Sequence, residues 1–225
     1  MYSCEIPKPQ SYTIASARPL PYSNHTLKWH IVNFSPDLPH HEQIMIFSDV
    51  FAHYNYQLWP LRHLTTEKIE EAYIRIAFVE KDLIVKDHQR KELFKCPFDF
   101  NLEPGTLAVA YPRHGGKYDG WIFVNEEYMW SILNTTGKVQ LYKVLIHEVG
   151  HLLGLGHTDK KGDIMYFQYN PANKWTSDSI EGINTILGVD RIAAAVSAPE
   201  ADIFMNSATS STQRSCSIFV KRDMK

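Results

Sequence analysis

The apolar positions of this chain follow two periods, which together predict a domain of mixed helices and strands. Over residues 72–80, Ile74, Ile76 and Phe78 alternate with the residues between them, which is the period of a strand with one buried face. Three further segments are rich in β-branched and aromatic residues and also predict strands: 27–34, 105–112 and 119–127.

Three other segments have apolar residues three and four positions apart, as on one face of a helix: 41–54, 138–153 and 177–187. In the first, the predicted buried face carries Ile44, Phe47, Val50 and Phe51. The second meets Gly154, a residue type that commonly ends helices. The sequence therefore predicts helices as well as a sheet.

Composition divides the chain into one domain and two appendages. Residues 1–26 carry several prolines among small polar residues and predict an extended leader. Residues 27–188 hold the predicted helices and strands and form the domain. Residues 189–225 are rich in Ser, Thr and Ala, have little to bury, and predict a tail without regular structure.

Charge and cysteine content exclude several classes of protein. Lys and Arg number 23 against 25 acidic residues, so the chain lacks the basic excess that attracts nucleic acid. Its cysteines, Cys4, Cys96 and Cys216, are too scattered to predict a disulfide framework. No stretch approaches the roughly 20 apolar residues of a membrane span, and the first residues do not resemble a signal peptide.

The second predicted helix carries the sequence HEVGHLLGLGH, which begins at His147. His147 and His151 lie four residues apart, so a helix presents both imidazoles on one face, where they can bind a single metal ion. His157 can supply a third ligand only if the chain turns back after the helix, and Gly154 permits that turn. Three histidines with an open fourth position are a ligand set of catalytic zinc.

Glu148 follows the first of these histidines and is predicted to be a general base. Its position places the carboxylate beside the open coordination site rather than on the ion. Zinc held by three neutral imidazoles can lower the pKa of bound water from 15.7 to about 7. Glu148 can then take a proton from the water and pass it to a leaving amine. The motif thus predicts metal-assisted hydrolysis of a peptide bond.

These residues resemble the catalytic domain of the matrix metalloproteinases, a family of metzincin zinc endopeptidases. The resemblance extends from Cys4 to Gly188, and Met165 falls where the family has a methionine beneath the metal that does not bind it. Family patterns also occur at LKWHIVNFSPDLP, PFD, GTLAVAYP, Trp130 and SDSIEGINTILG. The resemblance implies an α+β zincin fold, with a twisted mixed five-stranded sheet, a long active-site helix and a C-terminal helix.

The resemblance also implies where a substrate binds. The strand 105–112 would be an exposed edge, along which an extended peptide adds antiparallel through Leu107, Ala108 and Val109. An ordinary edge strand is an equal alternative for this segment on the sequence alone.

A specificity pocket for the side chain after the cleaved bond is implied in the same way. Its wall, usually Pro-x-Tyr in the family, reads Phe167, Gln168 and Tyr169 here, which keeps the tyrosine and loses the proline. Lys143 stands at a position that lines the pocket floor in relatives. The family expectation is an apolar side chain in this pocket, and Lys143 leaves the depth of the pocket open.

Relatives hold a second, structural zinc, and this sequence departs from the residues that bind it. The matching positions are Glu92, Phe94, Val109 and Phe123. Val109 and Phe123 would pack together instead, each gaining about 1.5–3 kcal/mol from apolar burial. One zinc is therefore predicted, and not two. Calcium stays open, because Asp99 and the segment 125–127 offer few of the six or more oxygens that it prefers.

Cys4 stands where the resemblance would place an inhibitory propeptide cysteine, whose thiolate can displace the catalytic water. Its flanking residues differ from those of the family, so a vestigial latch and no latch are equal alternatives. The resemblance further implies protein or peptide substrates, tissue-inhibitor-type protease inhibitors as partners, and secretion, although no signal peptide is visible.

Two other functions stay open on the sequence. One is a catalytically silent, zinc-containing module that captures a protein in its cleft. The other is an intracellular peptidase of another metzincin family. Glu148 and the three histidines argue against the first, and the spacing of Met165 after His157 argues against the second. The sequence identifies neither the physiological substrate nor the role of the tail.

Overall fold

The computed structural model describes residues 26–57, 62–187 and 216–219. The strands are β1 (Thr26–Ile31), β2 (Arg62–Thr65), β3 (Ile74–Val79), β4 (Ile84–Lys86), β5 (Glu92–Lys95), β6 (Thr106–Tyr111), β7 (Trp121–Asn125), β8 (Trp130–Ser131), β9 (Val139–Gln140) and β10 (Cys216–Phe219). The helices are α1 (His40–Gln57), α2 (Leu141–Leu153) and α3 (Ser177–Leu187). The predicted leader lies outside the described residues except for Thr26, and Cys4 lies outside them as well.

Five strands of the predicted domain form the mixed sheet that the resemblance implied. They lie in the order β6-β7-β3-β1-β2, in which β7, β3, β1 and β2 are parallel and β6 is antiparallel to β7. Helix α1 connects β1 to its parallel neighbour β2, as such a pair requires a crossover. The α+β fold class is confirmed.

A sixth strand joins this sheet from the C-terminal tail. Strand β10 pairs antiparallel with β6, with Ser217 opposite Val109. The prediction of a tail without regular structure over 189–225 is therefore wrong for Cys216–Phe219, and the rest of the tail lies outside the described residues. Ile218 and Phe219 have strand propensity, but only the fold brings them to a partner strand.

The sheet is covered on both of its faces. One face packs against α1 and α2 in the main core, which includes Trp29 and Phe47. The other face buries a second apolar cluster around Phe123, to which β4 and β5 also contribute. The prediction of a single buried face for β3 is therefore wrong, because Ala77 and Val79 are also buried, in the second cluster. Parallel strands inside a sheet are commonly buried on both sides.

Helix α1 shows one error in the predicted buried face. Phe47, Val50 and Phe51 are buried as predicted, but Ile44 is 44% exposed and Ile46, at 5%, takes its place in the core. At 3.6 residues per turn, Ile44 lies about 90° around the helix from the centre of the buried face. Apolar spacing alone did not distinguish the edge of this face from its middle.

Helix α2 begins later than predicted, at Leu141 rather than at residue 138. The two preceding residues form β9, in which Val139 pairs with Trp130 of β8. The predicted C-terminal helix is confirmed as α3. Among the described residues, no helix is both long and apolar enough to cross a membrane.

Candidate active site

The C-terminal end of α2 sets the geometry of the site. Gly154 caps the helix with φ 112° and ψ 4°, a left-handed conformation that strains residues with a side chain. Its N–H donates to the carbonyl oxygens of Gly150 and His151, and the N–H of Leu155 donates to Gly150 at 2.9 Å. The helix therefore ends there and the chain reverses, which brings His157 back towards α2.

Three imidazole rings converge at this reversal. His147, His151 and His157 offer ligand nitrogens that all lie within 4.8 Å of one another. The Nε2 atom of His151 lies 2.9 Å from Nε2 of His147 and 3.3 Å from Nε2 of His157. Nitrogens bound tetrahedrally to zinc at 2.0–2.1 Å lie about 3.3 Å apart, so the ring positions fit a zinc ion.

Backbone carbonyls orient two of these rings. Nδ1 of His147 lies 2.7 Å from the carbonyl oxygen of Ile164, and Nδ1 of His151 lies 2.7 Å from that of Leu155. Because a carbonyl oxygen only accepts, each Nδ1 carries the proton and donates. In a neutral imidazole this leaves Nε2 with a lone pair for a metal, as is usual for histidine ligands.

Burial keeps the same two rings neutral. The pKa of His147 is lowered from 6.5 to about 3, mainly by burial and then by the neighbouring His157. Burial, followed by the two other imidazoles, lowers the pKa of His151 well below its ordinary value. Metal binding requires neutral imidazoles, and the site supplies them at physiological pH. Glu148, next to His147 on α2, is buried as well.

Met165 and Asp163 lie on the loop that follows His157. Met165 is buried, and its carbonyl oxygen accepts from the N–H of Thr158 at 3.1 Å. The buried carboxylate of Asp163 accepts from the N–H of Met165 at 2.6 Å and from the hydroxyl of Ser179 at 2.5 Å. Asp163 thus ties this loop to α3. Sequence reasoning missed it, although Ser179 stands in the pattern SDSIEGINTILG that indicated the family.

Two of the predicted pocket residues connect the first turn of α2 with the segment after Met165. The Nζ atom of Lys143 donates to the carbonyl oxygen of Asn173 at 2.6 Å, and partial burial lowers the pKa of Lys143. The hydroxyl of Tyr169 accepts from the N–H of Gln140 at 2.9 Å. The ring of Phe167 lies edge-on to that of His157, with 6.4 Å between centroids. Of the three predicted pocket residues, Phe167 thus lies beside a histidine, while Lys143 and Tyr169 join the start of α2 to the segment after Met165.

Comparison with known proteins identifies the family. A family model described as matrixin matches residues 21–188, which is most of the chain. The chain belongs to the matrixin family. The resemblance read from the sequence is confirmed. Matrixins are zinc enzymes, and the three histidines provide a group that can hold a metal ion.

The relatives of this matrixin occur in plants and mammals. It is 31% identical over 166 residues to metalloendoproteinase 2-MMP of Arabidopsis thaliana, covering 70% of this chain and 40% of the relative. It is 30% identical over 190 residues to an interstitial collagenase of Equus caballus, covering 82% and 36%. With a neutrophil collagenase of Homo sapiens it shares 29% identity over 192 residues, covering 83% and 37%. The chain thus spans about two fifths of these relatives.

The predicted substrate edge of the matrixin is strand β6. Leu107, Ala108 and Val109 are all buried there. The Cα atoms of α2 come within 8 Å of Cα atoms in both β6 and β10. The strand therefore runs beside the helix that carries two of the histidines. The prediction that it is an exposed edge is wrong, because β10 pairs with the side of β6 that faces away from β7.

Three of the four positions at which the resemblance implied a second zinc site, Phe94, Val109 and Phe123, pack in an apolar cluster in this matrixin, and the fourth, Glu92, is exposed. Val109 and Phe123 are direct cross-strand partners and both are buried, as predicted. The ring of Phe94 meets that of Phe123 in a T-shaped contact with centroids 6.2 Å apart. Aromatic packing thus joins β5 to β7 at these positions.

The residues considered for calcium already make local hydrogen bonds. Oδ1 of Asp99 accepts from the N–H of Asn101 at 3.0 Å. The side-chain amide of Asn125 donates to the carbonyl oxygen of Thr106 at 3.0 Å, and its Oδ1 accepts from the N–H of Glu127 at 3.1 Å. The bond from Asn125 to Thr106 joins the end of β7 to the start of β6.

Proposed function

We propose that this matrixin is a zinc-dependent endopeptidase that hydrolyses internal peptide bonds in extended protein segments. The observation that carries the proposal is the convergence of three imidazole Nε2 atoms next to a buried glutamate on α2. His147, His151 and His157 would hold the zinc. Met165, which is buried on the loop after the third ligand, would support the site from below without binding the metal.

Glu148 is the residue that would move protons. A zinc ion bound by the three histidines supplies Lewis acidity, which activates water and polarises a carbonyl group. A carboxylate oxygen of Glu148 would accept a proton from the attacking water and then donate it to the nitrogen of the leaving amine. Burial of the residue excludes bulk water, so the proton stays available for the second transfer.

An extended substrate would add antiparallel to β6, with Leu107, Ala108 and Val109 supplying backbone hydrogen bonds. The support is positional, because β6 runs beside α2. The side of β6 that faces away from β7 is paired with β10, which a substrate would have to displace. Strand addition of this kind is largely independent of substrate side chains, so the sequence preference must come from a pocket.

The side chain after the cleaved bond would enter a pocket formed by Lys143, Phe167 and Tyr169. The contacts of Lys143 with Asn173 and of Tyr169 with Gln140 hold the first turn of α2 against the segment after Met165. Phe167, which is 40% exposed beside His157, offers an apolar surface at the mouth. We propose an apolar preference, in a pocket that the amine of Lys143 shortens.

Substrates and partners are proposed from the relatives. Two of them are named collagenases, which supports extracellular matrix or other secreted proteins as substrates and an extracellular location. Protease inhibitors of the tissue-inhibitor type would bind in the same cleft.

Cys4 would act as a latch only if its thiolate reaches the zinc, and replacement by serine would then raise the initial activity of fresh protein.

Cleavage of a quenched fluorescent peptide with an apolar residue after the scissile bond tests the proposal. The zinc-loaded chain should cut the peptide internally, a chelator should stop the reaction, and added zinc should restore it. Mass spectrometry of the products distinguishes an internal cut from the removal of single terminal residues. A folded, zinc-loaded chain that cuts neither this peptide nor a broad peptide library would overturn the proposal and favour a protein-binding module.

A further inference from the structure

Strand β10 occupies the edge of the sheet at which a substrate would add. It runs antiparallel to β6, with Cys216 opposite Ala110, Ser217 opposite Val109 and Ile218 opposite Ala108. The register shifts between Ile218 and Phe219, where the regular pairing ends. The tail therefore covers the same stretch of β6 that is proposed to bind an extended peptide.

The direction of the tail matches that of the proposed substrate. An antiparallel ladder uses the N–H and C=O groups that β6 directs away from β7, and each of these groups can serve one neighbouring strand at a time. Strand β10 also approaches α2, with Cα atoms within 8 Å of those of the helix. A peptide and β10 thus cannot lie on this edge together.

We infer that Cys216–Phe219 is an internal competitor of substrate, which lowers the activity of the enzyme until the segment leaves β6. The inference rests on the proposed function, because it assigns a regulator to the same cleft. An incoming protein segment must displace β10 before it pairs with β6. Substrates that pair with a longer stretch of β6, or whose side chain fits the pocket more closely, would displace β10 more readily.

Because β10 is covalently linked to the domain, even a weak contact with β6 is sufficient for this role. Residues 188–215 connect α3 to β10, so the segment is always present at its site at a high effective concentration. Covalent linkage of this kind can give an effective concentration on the order of millimolar. A four-residue ladder of modest affinity can therefore occupy the edge most of the time and still exchange rapidly. The device is reversible and needs no cleavage of the chain.

The test uses the full zinc-loaded chain with the double substitution Ser217→Pro and Ile218→Pro. Consecutive residues of a strand direct their N–H groups to opposite sides, so one of the two prolines must remove a donor that faces β6. The matched control carries Ser210→Pro and Ser211→Pro, which lie outside β10. Both variants change residues outside the segment 21–188 that the family model matches.

The β10 variant should cleave the fluorescent peptide with a KM lower by about threefold or more and an unchanged kcat, while the control behaves as wild type. A synthetic peptide of residues 212–223 should raise the KM of the β10 variant again. Hydrogen exchange gives a second readout that needs no activity: the β6 amides that do not face β7 should exchange faster only in the β10 variant.

The outcomes separate this inference from the proposed function. Equal KM values in three active proteins would overturn the inference, whatever the exchange rates. Equal exchange of the β6 amides would overturn it too, because β10 would then not occupy the edge in solution. If none of the three proteins cleaves peptides although exchange differs as expected, the proposed function fails while the pairing of β10 with β6 stands.

Discussion

A Cβ atom on Gly150 would lie 2.7 Å from Sδ of Met165 and 3.0 Å from Oη of Tyr54. Such atoms essentially never approach a Cβ below 3.0 Å, so α2 can pass this close to the loop after His157 only because residue 150 has no side chain. Tyr54 adds a second constraint, since its hydroxyl donates to the carbonyl oxygen of Ile146 at 2.5 Å. The glycine within the zinc motif is thus explained by packing beneath the site.

The substitution Gly150→Ala should therefore destabilise the protein. Helix propensity alone favours alanine by about 0.5–1 kcal/mol, whereas overpacking a core costs about 1–3 kcal/mol. We expect the cost of overpacking to exceed the gain in helix propensity, so that the free energy of unfolding, measured in urea, is lower in the variant. Combining the change with Met165→Ala should give less destabilisation than the sum of the single changes. An increase in stability for Gly150→Ala alone would show that Met165 moves away at no cost.

The apolar cluster on β6 and β7 predicts the zinc content of the protein. Since Val109 and Phe123 pack against each other at positions where the resemblance implied a second zinc, the dialysed chain should hold one zinc ion per molecule. Elemental analysis measures this ratio. His157→Ala should weaken the binding of that ion, because it removes one of three ligands. Two zinc ions per molecule of wild type would contradict the prediction that these positions hold no second zinc.

Replacing Lys143 should alter the specificity pocket. In Lys143→Leu, the amine that reaches the carbonyl oxygen of Asn173 is lost and an apolar side chain takes its place. We expect kcat/KM to rise about tenfold for peptides with a large apolar residue after the scissile bond, relative to those with a small one. Lys138→Leu changes an exposed lysine just before α2 and serves as control. If the ratio of the kcat/KM values for the two peptides is the same in Lys143→Leu as in wild type, this residue lies outside the pocket.

Glu126 should make stability fall as the pH rises. Burial raises its pKa from 4.5 to about 7, with Asp37 and Glu80 adding repulsion, while a hydrogen bond from the hydroxyl of Ser35 at 2.7 Å opposes the shift. Between pH 4.5 and pH 7 the folded protein therefore binds more protons than the unfolded chain, so the free energy of unfolding falls across this window. Below pH 4.5 the carboxyl group is neutral in both states, so its ionisation does not lower the free energy of unfolding.

The substitution Glu126→Gln should remove this dependence. Its stability relative to wild type should grow by about 2 kcal/mol or more between pH 5 and pH 8, measured by urea unfolding. Both proteins carry the same zinc site, so its own pH dependence cancels in the comparison. Glu103→Gln, at an exposed position that does not contribute to the shift of Glu126, should leave the wild-type profile in place. Parallel profiles for Glu126→Gln and wild type would contradict the raised pKa.

The sequence predicted well what depends on local spacing. His147 and His151 are brought together by one helix, and Gly154 with His157 completes the group within a few residues, so no distant contact had to be known. The same holds for α3, whose apolar spacing predicted both ends correctly. The five-stranded sheet came from resemblance, since no local pattern states which strands pair.

What the sequence missed depends on partners far along the chain. Asp163 gives no sign of its role until Ser179 is seen beside it. Val139 belongs to a strand and not to α2, because its partner Trp130 lies in another segment. The composition of the tail concealed β10 for the same reason, since a strand of four residues is stable only against an existing edge.

The most direct test of the account compares wild type with Glu148→Gln in peptide cleavage and zinc content. Glutamine preserves the shape of the side chain and leaves the three histidines intact, but it cannot accept the proton of the attacking water. We predict a variant that folds, holds one zinc ion and cleaves about 10²–10⁴-fold more slowly. A zinc-loaded Glu148→Gln protein with activity close to that of wild type would contradict the assignment of Glu148 as the general base.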